Sequence, residues 1–112
     1  MDTLDGILRS VRLETSLLSR ARYGEPWAVV TKGAPHPIFH AIVRGRCLLL
    51  RKGAAPLALT EGDVALLAGG AAHTMASAAN LDPVPVPTLF RRAGGRVRSI
   101  EHGGPGAECR II

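Results

Sequence analysis

The sequence predicts an all-β sandwich or barrel, on three observations. Between residues 27 and 77, short apolar runs recur every eight to twelve residues, with Gly-rich turns between them. No helical pattern of ten residues interrupts these runs, which disfavours an alternating βα chain with a parallel sheet. Apolar residues make up 46% of the chain but aromatics only 4%, so the core must be built from Val, Leu, Ile and Ala. At 112 residues the chain has the size of one domain. It is long enough to bury a core without disulfide staples.

The elements follow in order. Leu4, Ile7, Leu8 and Val11 line one face of a short N-terminal helix over residues 2–10, with Asp2 or Thr3 as its N-cap. Over residues 11–22 the period changes to two: Val11, Leu13, Thr15 and Leu17 alternate with Arg12, Glu14 and Ser16. Residues 27–31 form a short apolar strand, and residues 32–37, with one Gly and two Pro, form a loop. Strands follow at 38–43 and 47–50, parted by a turn at Gly45, and at 57–60 and 64–67, parted by the tight turn Glu61-Gly62-Asp63. Gly69-Gly70 turns the chain again into a strand over 72–75. Pro83, Pro85 and Pro87 remove ladder donors, so residues 78–95 read as an extended connector, anchored by Leu89-Phe90. No amphipathic helical run is expected after Pro83. A strand is expected at 96–100, a turn at 102–106, and a strand from 107 onwards. The sequence closes on Ile111-Ile112, from which we expect the natural chain, or its working partner, to continue.

The net charge is +5, with twelve Arg and only Lys32 and Lys52 as lysines. Such a balance favours anionic partners and says nothing about fold. Arg91, Arg92, Arg96 and Arg98 cluster without interleaved aromatics apart from Phe90, and are expected on a solvated face or one that meets another domain. No apolar run approaches the roughly 20 residues of a membrane span, and Asp2 and Asp5 at the N-terminus do not suit a signal peptide. A cytoplasmic protein with Cys47 and Cys109 reduced, and no membrane partner, is the expectation.

The most informative stretch runs from Gly62-Asp63 through the apolar Val64 to Leu67 and the turn at Gly69-Gly70 to His73. It resembles the second motif of the cupin family, with Ala68 where a Pro is usual. Pro26-Trp27, the run Phe39-His40-Ala41-Ile42-Val43-Arg44-Gly45-Arg46-Cys47 and the closing Gly103-Gly104-Pro105-Gly106 extend the likeness over nearly the full chain. In that order they resemble the N-terminal cupin domain of AraC-type transcriptional regulators. The resemblance implies a double-stranded β-helix (a jelly-roll barrel) forming a single sensor domain over residues 1–112. It implies a non-catalytic role: binding a small-molecule effector, as a homodimer, and reaching DNA only through a C-terminal helix-turn-helix domain that is not in this sequence. The alternative reading is a stand-alone metal-dependent cupin enzyme of the isomerase or dioxygenase type.

The resemblance also implies a site. A metal-binding cupin uses three His and a carboxylate, whereas here only His40 and His73 stand in register. Ile38 occupies the place of another His, and Arg44 that of the acid. Two imidazoles are short of the three or four ligands of a stable zinc site. No cofactor is therefore expected. A divalent metal (zinc, iron or nickel) on His40 and His73, with His36 as third ligand, is the competing reading. The expected pocket is lined by His40, His73, Trp27, Ile38, Ile42 and Met75, with the two imidazoles fixing the effector's polar groups. His36, between two prolines, otherwise reads as surface loop, and His102 as solvent-exposed. Cys47 and Cys109 read as small hydrophobes within strands.

Overall fold

The computed structural model describes residues 20–92 and 99–112. The helix expected over 2–10 and the alternation expected from residue 11 to 19 lie outside the described residues, as do Arg96 and Arg98. Ten strands and one helix make up the described part: β1 (Arg20–Gly24), β2 (Ala28–Thr31), β3 (Ile38–Arg44), β4 (Arg46–Leu50), β5 (Leu57–Thr60), β6 (Val64–Leu67), β7 (His73–Ala76), β8 (Val84–Pro85), α1 (Val86–Arg92), β9 (Ser99–Gly103) and β10 (Glu108–Ile111).

The strands form two five-stranded sheets, ordered β6-β3-β10-β1-β9 and β5-β4-β7-β2-β8. Pairing is antiparallel except for β1 with β9 and β2 with β8. Alternation along each strand supplies the core between the sheets. Cys47 and Leu49 of β4, Ala65 and Leu67 of β6, and Cys109 and Ile111 of β10 are buried, while Leu66 between its two buried neighbours is 68% exposed. Ile42 is fully buried, and Tyr23, Trp27, Val29, Met75 and Ile100 join the same cluster. A side chain removed from water in this way stabilises the fold by roughly 2 kcal/mol.

Turns pass the chain from sheet to sheet. Gly45 alone separates β3 in the first sheet from β4 in the second. Its φ is +82°, and a Cβ there would run into the carbonyl oxygen of Glu108 on β10, so the corner requires glycine. The turn between β5 and β6 is held by Asp63, whose Oδ2 accepts from the Thr60 amide at 2.7 Å, while Asp63 N donates to Thr60 O at 2.9 Å. The apolar Ile111-Ile112 has a packing reason: Ile111 is buried, and Ile112 exchanges two backbone hydrogen bonds of 3.0 Å with Ala41 of β3.

Two expectations are corrected. The connector contains a helix, α1, where no helical run was expected after Pro83. Pro87 falls in its first turn, where a missing N–H costs no intrahelical bond. Val86, Leu89 and Phe90, at i, i+3 and i+4, lay one face on the core. Seven residues are too few to stand out as a period against the alternating Val and Pro before them. The turn expected at 102–106 begins later, because His102 and Gly103 belong to β9 and pair in parallel with Tyr23 and Gly24 of β1. The prolines keep their expected effect at β8, a two-residue edge strand on β2.

Candidate functional site: an imidazole pair at an interior cavity

His40 lies mid-strand on β3, in the first sheet, and His73 opens β7, in the second. Both side chains point inwards, His73 being buried and His40 half-buried. Their Nε2 atoms are 2.8 Å apart, with ring centroids 5.0 Å apart and planes at 61°. The Gly69-Gly70 turn makes this meeting local for His73. It ends β6 with a Gly70 N to Leu67 O bond of 2.9 Å and returns the chain so that His73 Nδ1 lies 2.8 Å from the Ala71 carbonyl.

That carbonyl determines the tautomers. A carbonyl only accepts, so His73 Nδ1 carries the hydrogen and, in the neutral ring, Nε2 carries the lone pair. His40 Nε2–H must then donate across the 2.8 Å contact, which leaves the lone pair of His40 on Nδ1. Burial, and secondarily the charge of a protonated His73, lower the pKa of His40 to about 4. At neutral pH His40 is an uncharged imidazole with one ring nitrogen free to accept.

His40 borders a cavity of about 210 Å³ between the sheets, closed on one side by α1. Ile38 and Met75 border it as expected, with Tyr23, Val29, Thr31, Phe90, Ile100 and Ile111 completing most of the wall. Larger grooves occur on the surface. One of about 520 Å³ carries the exposed, charged Arg20, Arg22 and Glu101 in its lining.

Three of the expected lining residues, Ile42, Trp27 and His73, do not border the cavity directly. Ile42 shares the inward face of β3 with Ile38 and His40, but its backbone is bonded to the turn at Gly62 and Asp63, and its side chain fills the closed core. Trp27 stacks on Tyr23, with centroids 4.4 Å apart, and reaches the cavity only through that ring. His73 touches the cavity through His40. Tyr23, Ile100, Ile111 and Phe90 were missed as wall residues. Phe90 carried a signal, as the anchor of the connector; the others lie on strands whose neighbours no local pattern reveals. His102 is half-buried against the edge of Tyr23, 6.4 Å between centroids, and is not the solvent-exposed residue expected.

The donor set does not fit a metal centre. His36 is exposed on loop 32–37, and among the described residues no three His, Cys, Asp or Glu side chains come together as ligands. Ile38 is apolar, Arg44 is exposed and cationic, and the two imidazoles already satisfy each other through one proton. The thiols offer no alternative. A hydrogen bond with Cys109, reinforced by burial, pushes the Cys47 thiol well up, so it stays neutral.

This chain belongs to the cupin family, whose match covers residues 2–112. It is also 33% identical over its whole length to a protein of Streptomyces antibioticus named "Putative AraC-like transcription regulator", and spans 36% of that protein's length. No solved structure gives a significant match. Among the described residues, no helix is long and apolar enough to cross a membrane.

Proposed function

We propose that the chain is the effector-sensing domain of an AraC-type transcription regulator and catalyses no reaction. The observation that carries this reading is the mostly apolar cavity between the sheets with one neutral imidazole at its wall, in a chain similar over its full length to about a third of an AraC-like regulator. A molecule seated there touches both sheets, β2 and β7 on one side and β1, β3, β9 and β10 on the other, and also α1. It favours whichever arrangement of these elements encloses it best, and that population shift is the signal a DNA-binding domain would read. The regulator would act as a cytoplasmic homodimer, with DNA contacted by a domain outside this sequence.

The test is a metabolite screen by thermal unfolding, with Trp27 fluorescence as a second readout. A ligand present at 100 times its Kd stabilises the folded state by about 2.7 kcal/mol, which for a domain of this size raises Tm by roughly 10 °C. The expected result is a saturable shift, with the bound compound recovered chemically unchanged. Conversion of the compound on incubation would overturn the non-catalytic reading. A screen with no saturable ligand would overturn the sensor.

A further inference from the structure

We propose that the interior cavity takes an uncharged, mostly apolar molecule of roughly ten non-hydrogen atoms that donates one hydroxyl hydrogen bond to His40 Nδ1. The inference rests on the sensor reading above and adds to it the chemical class of the ligand.

Size comes first. A cavity of about 150 Å³ holds benzene, and this one measures about 210 Å³, which leaves room for a ring with one or two substituents. Charge comes next. Among the described residues bordering the cavity none is Lys, Arg, Asp or Glu, so a carboxylate, phosphate or ammonium would find no charged side chain there as a partner. His40 offers no cation to an anionic ligand, because burial and the neighbouring imidazole hold its pKa at about 4. Tyr23 stays a neutral phenol, since burial raises its pKa far above the usual value. The described side chains of the wall therefore carry no formal charge at neutral pH.

Polar matching narrows the class further. Val29, Ile38, Met75, Phe90, Ile100 and Ile111 supply an apolar wall, and among the described residues only Tyr23, Thr31 and His40 bring side-chain polar atoms to it. A sugar, with a hydroxyl on nearly every carbon, would leave most of them unpaired. His40 presents an acceptor and not a donor, because Ala71 O sets the His73 tautomer and His73 Nε2 takes the His40 Nε2 hydrogen. Among the described residues, Trp27 Nε1 is the one fully buried side-chain polar atom without a partner. In the proposed complex, His40 Nδ1, the ring nitrogen left with a lone pair, is directed to the space that His40 borders. A hydroxyl matches that lone pair; an ether or a ketone does not.

Four probes of similar shape separate the possibilities: p-cresol, toluene, 4-methylbenzoate and benzylammonium. Each is titrated at pH 7 against the chain, following Trp27 fluorescence through its stack on Tyr23 together with the thermal midpoint. The expected result is saturable binding of p-cresol, about fivefold tighter than toluene for one net hydrogen bond, with both charged probes at least tenfold weaker than p-cresol. In His40→Leu the p-cresol advantage over toluene disappears, and in His40→Gln, which keeps an acceptor, part of it returns. Should His40→Leu fail to fold, the wild-type comparison of p-cresol with toluene and the ions still decides. Equal or tighter binding of either charged probe would overturn the neutral class, and toluene matching p-cresol would overturn the role of Nδ1; in both cases the cavity remains a ligand site. No binding of any probe would overturn the proposed class. The screen described above then separates a wrong class, where it yields a ligand, from a cavity that binds nothing.

Discussion

His40 and His73 form a one-proton wire that ends on a backbone carbonyl, and its direction has a measurable consequence for stability. Unfolded, His40 takes a proton near pH 6.5; folded, it resists until about pH 4. Between these values the unfolded chain binds the extra proton, so stability is full above pH 6.5, falls as pH drops through this window, and levels off near pH 4. The loss is at most about 3 kcal/mol, and less because His40 is only half-buried. Urea unfolding of the wild type and His40→Gln at pH 7.5, 5.5 and 4.5 should show the wild type losing more stability on acidification. Identical losses in both would remove His40 as the source. The two residues were legible in the sequence because each is the only ionisable group in its expected strand, 38–43 or 72–75. That they share one interior space followed from the cupin resemblance; the direction of the proton between them did not, because it depends on a carbonyl two residues before His73.

At the scale of elements, turn chemistry was the most readable feature. The Gly-Asp turn, the Gly45 corner and the Gly69-Gly70 reversal fall where glycine was needed for φ > 0. The two adjacent glycines nevertheless differ. Both have positive φ, so alanine at either costs about 1–2 kcal/mol of backbone strain. A Cβ at Gly69 would meet nothing within 4 Å, whereas one at Gly70 would collide with the carbonyl oxygens of Ala34 and His36 on the 32–37 loop. Gly70→Ala should therefore destabilise by about 2 kcal/mol more than Gly69→Ala in chemical denaturation; equal costs would mean that the loop yields freely. Elements set by tertiary packing were harder to read. Helix α1 forms because Leu89 and Phe90 have a core to cover, and no local period of seven residues can announce that. Trp27 and Ile42 read equally well as wall or core residues, since hydrophobicity marks burial but not what is buried beside it.

For the whole molecule, the sandwich class and most of the strands were legible from spacing, while β8 within the connector and the order of strands were not. That order requires β1 to lie between β9 and β10, and β3 beside β10, which are pairings of residues far apart in the chain. The two-sheet arrangement also limits what the chain does alone. With a net charge of +5 it should attract duplex DNA through phosphate contacts. Among the described residues, however, the one helix has seven residues and lays its apolar face on the core, so nothing there enters a groove to read bases. Titration at 50 and 200 mM salt should give non-specific binding, at roughly 1–100 µM near physiological salt, lost steeply as salt rises. Sub-micromolar affinity for one sequence, resistant to scrambled competitor, would contradict this.

The place of β10 bears on how a cell makes this domain. Residues 108–111 form the middle strand of the first sheet, flanked by β3 and β1. A ribosome adds them after all the other described strands, so a nascent chain carries two strand edges facing a gap until residues 108–111 are made. The sheet cannot zip up progressively as it emerges; it closes when its centre arrives. Translation pausing just upstream of Glu108 would prolong an aggregation-prone stage, and the codons for residues 108–111 decide whether the strands before them close into a folded domain.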